Sequence, residues 1–88
     1  MSFEKISTLY GAHRLEDLEH ALIAAQNSAA RDTCHADLDE AEAHRAFQNR
    51  DFVKAQQLRK RARTLRKSAA AYEKEAQRIQ KKINRRSL

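Results

Sequence analysis

The sequence has no proline and no tryptophan, and it has a single glycine, Gly11, and a single cysteine, Cys34, among 88 residues. Without proline nothing in the chain blocks a helix, and the lack of glycine removes the preferred turn residue of β-hairpins. The residues that dominate are Ala, Leu, Glu, Lys, Arg and Gln, which have high helix propensities. These absences argue against a strand-rich protein and predict an all-α fold.

A lone cysteine cannot form a disulfide within the chain, as is usual for proteins of a reducing cytosol. No charged-then-apolar leader opens the sequence, and no apolar run approaches the roughly 20 residues that a membrane-spanning helix needs. The apolar stripes are rich in alanine and poor in the large side chains that insert at a membrane surface. We therefore expect a cytoplasmic protein without a membrane partner.

The residue patterns of enzymes and metal sites are also missing. No histidine among His13, His20, His35 and His44 lies four residues from another histidine or from Cys34, so no helical metal clip forms. There is no glycine-rich loop for phosphates and no recognisable pairing of a nucleophile with a base. The sequence predicts no catalytic residue, no metal site and no cofactor, and therefore a protein that is not an enzyme.

An unbroken heptad in the second half is the most regular pattern of the chain. Small side chains at one core position alternate with large side chains at the other, which is typical of a left-handed coiled coil. The small set is Ala55, Ala62, Ala69 and Ala76, and the large set is Leu58, Leu65, Tyr72 and Ile79, with Ile83 closing the pattern. The large residues are the predicted seam with another helix, in the same chain or in a second copy.

The predicted organisation is one helical domain over residues 1–88. A short helix over 3–10 precedes a long acidic helix over 12–48, for which a break near residue 27 is an alternative. The segment FQNRDF (47–52) predicts a turn, with Asn49 in the left-handed conformation and Asp51 as the N-cap of the next helix. A basic heptad helix follows over 52–84, and residues 85–88 form a basic tail.

The acidic helix is expected to bury Leu15, Leu18, Leu22, Ala25 and Ala29, and then Cys34, Leu38 and Ala41 as the stripe drifts around a straight helix.

Folding the chain back at the turn predicts an antiparallel hairpin whose facing residue numbers add up to about 100. This register brings Leu22 to Ile79 and Leu18 to Ile83, and it places acidic residues of the first helix beside basic residues of the second. Phe47 and Phe52 are expected to plug the apex. Because a chain of this size with few large apolar residues is marginally stable alone, we also expect a homo-oligomer, a dimer or tetramer.

The charge is divided unequally between the halves. Residues 1–44 carry three Lys/Arg and nine Asp/Glu, a formal charge of −6, whereas residues 45–88 carry fifteen and three, a formal charge of +12. The heptad places Arg59, Arg61 and Arg66 beside the seam, within reach of carboxylates on the first helix. The outward side of the second helix, here called the basic face, holds seven cations and no carboxylate: Lys60, Arg63, Lys67, Lys74, Arg78, Lys81 and Arg85.

A row of cations about 38 Å long fits a nucleic-acid backbone, to which such rows bind by neutralising phosphates. Arg86, in the tail beside this row, is a further predicted contact. The same row could instead be a solvated helix face, and in that case the protein would be a helical adaptor or inhibitor that binds another protein by coiled-coil packing. No helix-turn-helix or zinc-finger spacing is present, so base-specific reading of a duplex is not expected.

The heptad from Ala55 to Ile83, the basic face and the small size together resemble small basic coiled-coil proteins of bacteriophages that coat DNA. This resemblance covers the second half of the chain. It implies non-specific DNA binding by an oligomer, with single-stranded DNA as one candidate ligand.

Overall fold

The structure is a computed structural model that describes residues 15–87. They form two helices, α1 (Leu15–Gln48) and α2 (Phe52–Ser87), which pack against each other as an antiparallel hairpin. No strand occurs within these residues, so the predicted all-α hairpin is confirmed. The predicted helix over 3–10 lies outside the described residues. α1 is continuous through residue 27, and α2 continues through Arg85 and Arg86, which the sequence placed in a tail.

The turn between the helices ends α1 in a Schellman motif. The Asp51 amide donates to the Ala46 carbonyl at 2.8 Å and the Arg50 amide donates to the Phe47 carbonyl at 2.9 Å. Arg50, with a φ of 64°, takes the left-handed conformation that the sequence assigned to Asn49. Asp51 is the N-cap of α2, as predicted, since its Oδ1 accepts the Lys54 amide at 3.2 Å.

The inner side of α2 follows the predicted heptad. Its buried residues are Ala55, Leu58, Ala62, Ala69, Ile79 and Ile83, and Leu65 and Ala76 are half-buried. Tyr72 differs, because 38% of it stays exposed at a position where the pattern predicts a buried side chain. Within residues 15–87 no third helix or strand is present to cover a side chain of this size.

The inner side of α1 departs from the prediction at Leu15, which is 41% exposed, and again after Ala29. The buried positions continue as Ala36, Asp39, Ala43 and Ala46, in the same three-and-four spacing as Leu18, Leu22, Ala25 and Ala29. Cys34 and Ala41 are exposed and Leu38 is 62% exposed, so the predicted drift of the stripe is wrong. α1 instead keeps a heptad, as a helix must when it stays packed along a heptad partner.

Large apolar side chains meet at the open end of the hairpin. Leu18, Ile79 and Ile83 form one buried cluster with Leu22 packed against it, and this confirms the predicted register. Toward the turn the seam consists mainly of alanine, which lets the helices approach closely but buries little apolar area. The hairpin therefore depends on the cluster at its open end and on polar contacts farther along.

Candidate nucleic-acid interface

Arg61, beside the seam, is paired within the chain. Its Nε donates to Oδ2 of Asp39 at 2.7 Å and its Nη2 donates to Oδ1 at 2.8 Å. This two-bond contact lowers the pKa of Asp39, against the opposing effect of burial, and raises the pKa of Arg61. The charge of Arg61 is thus neutralised by the carboxylate of Asp39, a side chain that is only 9% exposed.

Arg66 is neutralised on the opposite edge of the seam by two carboxylates. It donates to both carboxylate oxygens of Glu40, at 2.6 and 2.9 Å, and to Oδ1 of Asp37 at 2.7 Å. The hydrogen bonds with Glu40 have the largest effect on the pKa of Arg66 and raise it, and the hydrogen bond with Asp37 raises it further. The hydrogen bonds from Arg66 also lower the pKa of Glu40. As predicted, Arg61 and Arg66 form ion pairs with carboxylates of the acidic helix α1.

Arg59, the third arginine beside the seam, has a different role. Its guanidinium carbon lies over the ring of Phe47, 5.5 Å from the ring centroid, in a cation–π contact. Glu42, the carboxylate that faces Arg59 in the predicted register, pairs instead with Lys54, whose Nζ lies 3.5 Å from Oε2 of Glu42. The expectation that Arg59 meets a carboxylate of α1 is therefore wrong, and its charge stays available at the apex of the hairpin.

The basic face lies on α2, and all seven of its cations are exposed. Lys60, Lys67, Lys74 and Lys81 recur every seven residues, about 10.5 Å apart along the helix axis. This repeat follows from the heptad, which places these positions farthest from the seam. Among residues 15–86, six of the seven cations form no ion pair: Lys60, Arg63, Lys67, Lys74, Lys81 and Arg85.

Arg78 is the member of the basic face that meets a carboxylate. Its Nη1 donates to Oε1 of Glu75 at 2.8 Å, one helical turn away on the same helix. Both side chains are more than half exposed, so the pair is weak and open to competition from a stronger anion. Arg86, the further predicted contact, is exposed near the end of α2.

The apex of the hairpin carries an aromatic pair that does not plug it. Phe47 is 48% exposed and Phe52 is 54% exposed, and their ring centroids lie 5.1 Å apart in an edge-to-face arrangement. A groove of about 360 Å³ beside the rings is lined by Phe47, Phe52, Ala55, Gln56, Arg59 and Arg63. The groove does not follow from the sequence pattern, which predicts that both phenylalanines are covered; among residues 15–87 no element lies beyond the turn to cover them.

Between residues 15 and 86, no three His, Cys, Asp or Glu side chains are grouped so as to hold a metal ion. His13, one of the four histidines considered, lies outside the described residues. Neither described helix contains an apolar stretch that would allow it to span a bilayer.

Comparison with known proteins gives no relative: no family model, no curated protein and no solved structure matches this chain.

Proposed function

We propose that this protein binds nucleic acid without sequence preference, through phosphate contacts along the basic face of α2. The observation that carries the proposal is the division of the cations. Arg61 and Arg66 are neutralised by carboxylates of α1, whereas six cations of the basic face form no ion pair within residues 15–86. Neutralisation inside the hairpin therefore leaves one long, exposed and strongly positive row.

The mechanism is backbone binding. Lysines about 10.5 Å apart present flexible point charges, which suit phosphate oxygens and carry no base information. Arg63, Arg78 and Arg85 add guanidinium groups that can hold a phosphate through two hydrogen bonds. The protein attracts the phosphates by charge and holds them along the basic face, and no chemical step is involved.

A salt-series titration tests the proposal. For four to six phosphate contacts per chain, the logarithm of the binding constant should fall against the logarithm of salt concentration with a slope of roughly −3 to −4 on single strands. The affinity should be similar for unrelated sequences of equal length. Absence of binding at low salt, or a strong dependence on sequence, would overturn the proposal.

Two double variants that remove the same charge distinguish binding by the basic face from binding by overall net charge. Lys60→Gln with Lys67→Gln removes two cations of the face and should reduce the salt slope by about 1.4 on single strands. Lys54→Gln with Lys82→Gln removes the same charge from positions outside the face, and it should leave the slope nearly unchanged. Equal losses in both pairs would show that overall charge, and not the face, binds the nucleic acid.

We propose in addition that the protein acts as a dimer or tetramer, since an alanine-rich seam buries little apolar area. Measurement of the mass in solution, with and without nucleic acid, tests this proposal, and a monomer in both states would contradict it.

A second candidate function is a helical adaptor that binds another protein. It is favoured by apolar side chains on the outer side of α1, where Ile23 is 53% and Leu38 is 62% exposed. The partner would have to pack there, because the seam is already filled by the hairpin. This candidate would be supported over nucleic-acid binding by a protein partner that co-purifies in stoichiometric amount after nuclease treatment. The Leu38→Glu variant should lose this partner, and the Lys60/Lys67 variant should retain it.

A further inference from the structure

Two half-exposed aromatic rings at the apex are an unusual surface for a chain with so few aromatics. Phe52 lies in an edge-to-face contact with Phe47, and Arg59 covers Phe47. Within residues 15–86 no cation lies over the ring of Phe52. Phe52, which is 54% exposed, therefore offers an aromatic surface for a further stacking partner.

The groove beside these rings is continuous with the basic face. Arg63 belongs to both, because it lines the groove and follows Lys60 in the row of cations. Arg59 and Gln56 complete the polar lining, and no carboxylate lines this groove. The two carboxylates of the turn region, Glu42 and Asp51, line a separate pocket with Lys54.

This combination of chemistry matches one ligand class. An aromatic ring stacks on any nucleobase, guanidinium groups hold the neighbouring phosphates, and an amide can hydrogen-bond a base edge. A base inside a duplex is stacked on both sides and cannot reach such a ring unless it leaves the helix. An aromatic groove at the end of a phosphate-binding row therefore selects unpaired nucleotides.

We propose that the apex groove binds an unpaired nucleobase stacked on Phe52, in a strand whose phosphates lie along the basic face. The ligand is then single-stranded nucleic acid, and the proposal rests on the proposed function. Arg59 and Arg63 contact the phosphates that flank the stacked base. The basic face supplies affinity for any nucleic acid, and the groove supplies the preference for single strands.

The first test compares Phe52→Leu with the wild-type chain on oligothymidylate and on a long duplex at one salt concentration. Leucine keeps the apolar side chain but removes the π face. Affinity for the single strand should fall about 5- to 20-fold, whereas affinity for the duplex should change less than about two-fold. Val53→Ala, at a neighbouring position that is 68% exposed and does not line the groove, is the control and should change neither.

The second test places a fluorophore in the groove. Because the chain has no tryptophan, Phe52→Trp provides a single indole emitter. Its fluorescence should be quenched by oligothymidylate and not by the duplex, while Ile23→Trp, of similar exposure on α1, should respond to neither. An unquenched Phe52→Trp, or an equal loss for both ligands in Phe52→Leu, would overturn base stacking and leave phosphate binding intact. Failure of the wild-type chain to bind either ligand would overturn both proposals.

Discussion

Asp39 and Arg61 face each other across the seam and share two hydrogen bonds, of 2.7 and 2.8 Å. The carboxylate occupies a position of the α1 heptad at which an apolar residue is expected, and it is buried there. A buried charge is tolerated only when it is paired and hydrogen-bonded. By pairing with Asp39, Arg61 therefore allows the heptad of α1 to continue from Ala36 to Ala43 although an aspartate occupies a core position between them.

The variant Asp39→Asn should lower the melting temperature at pH 7 by several degrees, since an amide cannot accept both guanidinium bonds as an anion does. The folded-state pKa of Asp39 is lowered, so its stabilisation is complete above the ordinary pKa near 4 and is lost as the pH falls through the lowered value. The difference between wild type and variant should thus be present at pH 7 and shrink as the pH falls below about 4. Thermal unfolding followed by circular dichroism at several pH values measures it.

The control for this prediction is Asp37→Asn. Asp37 is 63% exposed and shares Arg66 with Glu40, so its loss should have a much smaller effect. A temperature difference for Asp39→Asn that persists unchanged at pH 2 would contradict the assigned role of the ion pair.

Replacing Arg50 by glycine should stabilise the protein by about 1 kcal/mol. Arg50 has a φ of 64°, a left-handed conformation that is costly for a residue with a Cβ and free for glycine. Urea unfolding measures the free energy of unfolding. Asn49→Gly is the matched control and should give no gain, because among non-glycine residues of the described turn only Arg50 has a positive φ.

Truncation of Ile79 to alanine should cost about 2–4 kcal/mol of unfolding free energy. Ile79 is 7% exposed in the cluster with Leu18 and Ile83, the part of the seam where large apolar side chains meet. Leu38→Ala removes a similar side chain from a position that is 62% exposed and should change stability by less than about 0.5 kcal/mol. Equal losses in urea unfolding would mean that Leu38 is covered in solution.

Neutralising Glu75 should strengthen nucleic-acid binding. Glu75→Gln frees Arg78, whose Nη1 lies 2.8 Å from the Glu75 carboxylate, and one more cation of the basic face can then meet a phosphate. The salt slope should steepen by about 0.7 to 0.9. Glu73→Gln makes the same change of net charge on the same helix, and Glu73 forms no ion pair within residues 15–86. If both variants gave the same slope, the Arg78–Glu75 contact would not control binding.

The charge pattern was only partly readable from the sequence. The heptad fixes which cations point away from the seam, so the exposed positions of the basic face follow from residue spacing. The predicted register also pairs Asp39 with Arg61, whose numbers add up to 100, as the structure has them. The other partners across the seam do not follow, because a long arginine side chain can reach several positions. Arg66 thus meets Asp37 and Glu40, and Arg59 lies on Phe47.

The sequence by itself determined the helices, the place of the turn and, apart from Tyr72, the inner side of α2. Helix propensity and a repeat of large and small residues act locally, so neighbouring residues are sufficient to read them. Only the tertiary structure decided the inner side of α1, where Asp39 is buried and Leu38 is exposed. That choice depends on Arg61, 22 residues away in the chain, since the free energy of a buried carboxylate is set by the group that faces it.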